Sequence, residues 1–317
     1  MRDILVLIGF SQYNQNVYED RIAELSSNLS KCLFDMGGSP ESREADTEMI
    51  ALSAIALNNS NPRDAQRLRE WLYNAQEKTG AWRPRASLPA SCWSTSLAMI
   101  ALALEARQDC LARALQWLLL HAGRESGFWV KLRFRCLDRR VHFNPAYYGW
   151  PWTEGTLSWV IPTSFAIMAI RLSTACQRPP EAVRRLRPAV SMALDRGCLQ
   201  GGWNAGNGVV DRVALSPRME PTAIALLGLR GISPPTRLIE SSIQWLRREA
   251  ATCPTPWSLS WAILSLFSYG LDVDNLKIHL ADLAAKLMRL SPLEMAGTLL
   301  ALQTGQTLLP FVMPDES

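Results

Sequence analysis

Two kinds of apolar pattern alternate along this chain. Segments at 21–35, 64–76, 111–121, 180–194, 238–250 and 274–290 carry one apolar stripe, with Arg, Lys or Glu on the other face. Segments between them, at 47–57, 94–104, 163–172, 222–229, 258–267 and 295–303, are apolar nearly all round. A striped segment reads as a surface helix, whereas a helix apolar on every side must be buried on every side. Six buried and six amphipathic helices in alternation predict six helical hairpins. They close most simply into a ring, because an open solenoid would leave one inner face wet. The expected fold is all-α, an α6/α6 toroid, with one domain over 21–305, an N-terminal extension at 1–20 and a tail at 306–317.

A degraded phrase recurs along the same chain: a helix carrying Trp or Met, then a Gly-x-Trp loop, then an apolar helix. The clearest copy runs from Trp71 through Gln76 to Gly80-Ala81-Trp82 and the segment near Trp93. A second is read from Trp117 to Gly127-Phe128-Trp129, and a third from Met192 to Gly201-Gly202-Trp203 and Glu220-Pro221-Thr222-Ala223. The fourth has Gln244-Trp245-Leu246 and reaches Trp257 without a glycine. Pro162-Thr163, Pro221-Thr222, Pro256 and Ser291-Pro292 mark first helical turns of the apolar helices. Connections into these helices are mostly long and those out of them mostly short. The long loops therefore gather on one rim, with the inner-helix N-termini pointing at it, a setting that favours anions.

The longest of these loops holds alternating apolar residues Phe128, Val130, Leu132 and Phe134. They predict a β-hairpin insertion at about 128–143, turning at Asp138-Arg139-Arg140. Arg124, Lys131, Arg133, Arg135, Arg139 and Arg140 give it a basic face, with Arg83 and Arg85 in the neighbouring loop. That face is either a solvated strand surface or a site for a diphosphate or lipid head group, since Arg suits bidentate phosphate contacts. Cys136, Asp138 and His142 are legitimate zinc ligands at close spacing and form a weak candidate metal set. No other metal or cofactor is called for.

Gln76-x3-Gly80-x-Trp82 matches the QW motif. Glu220-Pro221-Thr222-Ala223 after Gly202-Trp203 resembles the Gly-Trp…Thr-Ala repeat of the squalene cyclase and protein prenyltransferase superfamily. The stretch Tyr148-Gly149-Trp150-Pro151-Trp152 to Ser158-Trp159-Val160-Ile161-Pro162-Thr163 is similar to single-ring bacterial proteins named for prenyltransferase and squalene-oxidase repeats. The resemblance spans about residues 43–302 as one ring. It implies that Gln76 and Trp82 link successive repeats, and that a polyprenyl or terpenoid chain occupies an apolar central cavity. Cyclases of this superfamily protonate an alkene through Asp-x-Asp-Asp; the nearest match, Asp272-Val273-Asp274-Asn275, lacks the last Asp and reads as a helix-capping turn. Neither Asp-Asp-x-x-Asp nor the Asp-x-Cys pair of the prenyltransferases occurs.

Candidate site residues follow from position. Trp93, Trp150, Trp152, Trp159, Trp257 and Trp261 fall at or just inside the rim ends of the inner helices. There they either line a cavity, stabilising a carbocation through their π faces, or fill a solid core. Asp46, Glu154, Glu220 and Glu294 stand near inner-helix N-termini, where capping competes with acid catalysis; Asp46 and Glu220 directly adjoin an inner helix and are the candidate acids. Arg133, Arg135 and Arg139 are the candidate head-group ligands.

Composition narrows the classes. The chain has 317 residues, is 48% hydrophobic and carries a net charge of +4. That charge is low for nucleic-acid binding, and none is expected. Seven widely spaced cysteines without Cys-x-x-Cys read as reduced core residues of a cytoplasmic protein. No segment offers about 18 uninterrupted apolar residues, although the short apolar run at 4–10 leaves room for peripheral membrane contact. An isoprenoid enzyme or carrier, a non-catalytic scaffold for a protein partner, and a carbohydrate-active toroid all remain compatible, the last requiring paired carboxylates across one cleft.

Overall fold

Every segment apolar on all sides becomes an inner helix. These are α2 (Thr47–Ser60), α4 (Cys92–Leu102), α7 (Val160–Ser173), α9 (Met219–Leu229), α11 (Pro256–Ser268) and α13 (Pro292–Leu302). The striped segments become α1 (Arg2–Phe34), α3 (Pro62–Ala75), α5 (Gln108–Leu120), α8 (Pro180–Asp195), α10 (Arg237–Ala250) and α12 (Asp274–Lys286). In this computed structural model, residues 2–34, 46–103, 105, 107–136, 143–174, 179–232, 236–287, 289–305 and 311 are described, residues 2–17 and 135 by backbone alone. Among the described residues, no helix is long and apolar enough to cross a membrane.

The inner helices pack in the order α2, α4, α7, α9, α11, α13, and α13 returns to α2. That closure makes the architecture an α/α toroid. Outer helices α3, α5, α10 and α12 each cover a seam between two inner ones, α8 lies against α7, and α1 seals the last seam, against α13 and α2. Inner helices are buried along nearly their whole length, as in α7, where Val160 to Arg171 is buried without a break.

One unit holds the wedges together and occurs three times. Trp82, Trp150 and Trp203 are all buried. Their indole N–H groups donate to the carbonyls of Leu72, Leu118 and Ala193 at 2.7, 2.9 and 2.6 Å. Those carbonyls lie in the last turns of α3, α5 and α8, where a helix leaves its C=O groups without intrahelical donors. The same three tryptophans donate their backbone N–H to Thr95, Thr163 and Thr222 Oγ1, at 3.0, 2.9 and 2.9 Å. Each Trp thus ties the end of an outer helix to the first turns of the next inner helix. Gly149 permits the close approach: a Cβ there would stand 2.1 Å from Thr163 Oγ1.

The second unit therefore centres on Gly149-Trp150, and not on Gly127-Phe128-Trp129. Trp129 is 77% exposed. The expected β-hairpin at 128–143 is also corrected: residues Phe128–Cys136 form a helix, α6, after a 3-10 turn at Arg124–Ser126. Alternating apolar residues suit a strand only when a partner strand pairs with them, and the described residues supply none here. The β structure lies elsewhere, as strands β1 (Val209–Val210) and β2 (Val213–Ala214) in the loop before α9.

Removing one hydroxyl of this unit tests it. Thr163→Val leaves the buried Trp150 N–H unpaired and is expected to destabilise the protein by about 1–3 kcal/mol. Thr79→Val on an exposed loop should cost less than about 0.5 kcal/mol. Equal melting temperatures for the two variants would contradict the assignment.

Candidate functional site

The inner helices all begin on the rim that carries the long connections. Their second residues are Glu48, Trp93, Ile161, Glu220, Trp257 and Leu293. These equivalent positions ring the axis of the toroid on this rim, called the mouth below, with two acids, two tryptophans and two aliphatic side chains. α2 and α9 stand three steps apart in a ring of six, so Glu48 and Glu220 approach from opposite sides.

Glu48 is the most perturbed acid of the mouth. Its carboxyl is raised to about 8, first by burial, then by the like charges of Asp46 and Glu220. A carboxyl in this state still carries its proton at neutral pH, as a general acid must. Asp46 is committed to the fold, since it caps α2 by accepting from Glu48 N–H at 3.0 Å and pairs with Arg85 at 3.2 Å. Glu294 completes a capping box with Ser291 on α13, and Glu154 stands exposed in the loop before α7.

The tryptophans separate into groups. Trp93 and Trp152 meet edge to face with centroids 5.4 Å apart. Trp257 and Trp261 form a second pair at 5.7 Å. Trp261 also meets Phe165 of α7 at 5.7 Å, past the ring position filled by α9, so the two side chains meet inside the ring. Phe311 from the C-terminal segment packs on Trp261 at 5.4 Å. Trp261 Nε1 and, one helical turn further along, Ser265 Oγ are buried without a hydrogen-bond partner among the described residues. Trp159 lies partly exposed at the N-terminus of α7. Trp150 belongs to the ring-holding unit.

Two buried arginines fix the longest loop of this rim. Arg185 of α8 donates from Nη2 to the carbonyls of Gly149 at 2.6 Å and His121 at 3.1 Å, and its guanidinium lies 3.6 Å over the Trp150 ring. Burial lowers it to about 10, which leaves it charged near neutrality. Arg196 pairs with the fully buried Glu125 at 3.6 Å, and Glu125 accepts from Ser158 N–H through both oxygens at 3.1 Å. Burial also lowers Arg196, opposed by the charge of Glu125. This pair could not be foreseen from sequence, because its members lie on different connections.

The basic residues of the loop do not form one cluster among the described residues. Arg83 is paired with Glu77 and Arg85 with Asp46. Arg133 is exposed, Arg135 is described by backbone only, and Arg139 lies outside the described residues. Of the candidate zinc set, Cys136 is exposed at the end of α6, while Asp138 and His142 lie outside the described residues. No group of metal-ligating side chains occurs among the described residues. Asp272 accepts from Asp274 N–H at 3.0 Å at the start of α12, on the rim opposite the inner-helix N-termini.

No protein-family profile matches the chain, and no curated protein matches it in sequence. Solved structures do match it in fold. A protein from Actinoplanes is 14% identical with a TM-score of 0.57, covering 91% of this chain and 100% of that one. The type II terpene cyclase MstE from Scytonema, in complex with its substrate geranylgeranyl dihydroxybenzoate, is 14% identical with a TM-score of 0.53, covering 89% of this chain and 81% of that one. The same cyclase without ligand gives 14% identity and a TM-score of 0.52 over 84% and 80%. The chain thus has the fold of a type II terpene cyclase.

The state of Glu48 has a consequence for stability. Its folded pKa lies above its unfolded value of 4.5, so its contribution is fully present below that value and is lost as pH rises through about 8. Between about pH 5 and about pH 8.5, the wild type should lose on the order of 2 kcal/mol relative to Glu48→Gln. Denaturant melts of both proteins across this range check it. Parallel profiles would contradict the assignment.

Proposed function

We propose that this protein binds a polyprenyl-bearing or terpenoid substrate in the bore of the ring and acts on it as a proton-initiated terpene cyclase, with Glu48 as the acid. What supports this reading is the Glu48 carboxyl, raised to about 8 by burial, at the rim where the inner helices begin, together with the aromatic contacts of Phe165, Trp257 and Trp261 inside the ring. The fold shared with a cyclase that acts on a geranylgeranyl compound supports the substrate class.

The chemistry divides among the residues as follows. The Glu48 O–H gives its proton to an alkene carbon; the alkene π electrons form the new C–H bond, and positive charge remains on the neighbouring carbon. Asp46, Glu220 and the new Glu48 carboxylate oppose that charge electrostatically. The π faces of Trp257, Trp261 and Phe165 stabilise it further along the bore, where water is excluded. Loss of a proton from the cyclised cation ends the sequence. Trp261 Nε1–H and Ser265 Oγ would orient an oxygen-bearing group of the substrate, since each is a buried group in need of a partner. Arg133, with Arg135 and Arg139 nearby in sequence, would serve an anionic head group.

The edge-to-face packing of Phe165, Trp261 and Phe311 favours a second reading, a filled ring acting as a scaffold for a protein partner.

Incubation with geranylgeranyl dihydroxybenzoate, followed by native mass spectrometry and product analysis, separates the two. A cyclase should give a bound adduct and a cyclised isomer of unchanged mass. Glu48→Gln should then retain binding while losing at least about 100-fold in turnover. Neither adduct nor product would support the scaffold, and full turnover by Glu48→Gln would remove Glu48 from the acid's role.

A further inference from the structure

Among the described residues, every large apolar side chain that stands exposed lies on one rim of the toroid. All of them fall in connections that lead from an outer helix into the next inner helix, or at the outer-helix end that opens such a connection. The described connections of the opposite rim expose none. The strongest concentration is on α6. Phe128, Trp129 and Leu132 are 71%, 77% and 43% exposed. Phe128 and Leu132 are four residues apart and Trp129 lies beside them, so they share one helical face, directed at solvent. Val130, Lys131 and Phe134 turn the other way, and Phe134 packs on Phe143. An ordinary surface helix has the reverse arrangement.

Leu199 and Val213, 78% and 61% exposed in the loop before α9, extend the apolar character around the same rim. A patch of this kind on a soluble surface marks an interaction site. The charges indicate what it meets. α6 carries Lys131, Arg133 and Arg135 and no acid. Arg124 is exposed just before it, and Glu125 is withdrawn into its buried pair with Arg196. In the described part of this connection the exposed acid is Glu154. Face-to-face pairing with a second copy would set these cations against one another. Aromatic and leucine side chains backed by Lys and Arg match the interface of an anionic bilayer, where Trp and Phe settle at head-group level and the cations meet phosphate.

We propose that the rim bearing α6 docks on the surface of an anionic membrane, with Phe128, Trp129 and Leu132 inserted to head-group depth. The inner helices begin on this same rim, so docking would place their N-termini toward the bilayer. Docking through this surface does not depend on the reaction carried out inside the ring.

Vesicle flotation tests it. The full chain is mixed with vesicles of phosphatidylglycerol and phosphatidylcholine, or of phosphatidylcholine alone, at low and high salt. Binding to the anionic vesicles is expected, weakening with salt. The double variant Phe128→Ser/Trp129→Ser should bind at least about tenfold more weakly, and Arg124→Gln/Lys131→Gln/Arg133→Gln should lose the preference for anionic vesicles. Phe128, Trp129, Arg124 and Arg133 are exposed, whereas Lys131 is half-buried over Tyr148, so the melting temperature of each variant is measured beside the wild type to separate lost docking from lost folding. Equal binding by the wild type and the Phe128/Trp129 variant would overturn the proposal, as would no binding by the wild type. A wild-type dimer that the same double variant converts to a monomer, without vesicle binding, would assign the face to self-association instead.

Discussion

The ring depends on how the last carbonyls of an outer helix find donors inside a dry seam. Such carbonyls have no intrahelical partner and would be costly to bury bare. A tryptophan resolves this because its indole is large enough to fill the seam and carries one N–H at its far edge. Its backbone N–H then falls to a threonine hydroxyl of the next inner helix. Both bonds recur at Trp82, Trp150 and Trp203. With each wedge tied to the next, the inner helices have one arrangement that buries all their faces, and that is closure of α13 on α2.

Closure also sets the electrostatics of the mouth. Six inner helices beginning on one rim bring equivalent positions face to face, so an acid near the start of α2 meets another near the start of α9. Burial first, and then the like charges of Asp46 and Glu220, raise the Glu48 carboxyl. Asp46 itself is held by its cap on α2 and by Arg85. Phe165, Trp257 and Trp261 lie in edge-to-face contact inside the ring, and the rim on which the inner helices begin carries the exposed apolar side chains.

Much of the fold was legible because burial on all sides leaves a plain trace. The inner and outer segments fall within a few residues of the helices observed, except the first, placed at 21–35, which begins at Arg2 and takes in the stretch assigned to an N-terminal extension. The chemistry-bearing loops were harder to read. Phe128–Phe134 alternates in period two, yet a period-two segment without a partner strand is free to coil into a helix, as α6 does. The β1–β2 hairpin escaped notice because its turn uses Asp211 and Arg212 in left-handed conformation, at φ of 49° and 64°, with no glycine to mark it. Trp150 was hidden as a repeat member because the long insertion displaces it from α5, while Gly127-Phe128-Trp129 imitates the phrase nearby. Glu48 was overlooked in favour of its capping neighbour Asp46. The signal that could have found it is that Glu48 is the lone charge within an otherwise uncharged inner segment.

The proposed chemistry stands on the protonation state of Glu48, and infrared difference spectroscopy reads that state directly. A neutral carboxylic acid has a C=O stretch well separated from that of a carboxylate. Spectra taken between about pH 6 and about pH 10 should show an acid band that disappears with a midpoint near 8 and is absent from Glu48→Gln. A carboxylate already ionised at about pH 6, with no difference between wild type and variant, would contradict it.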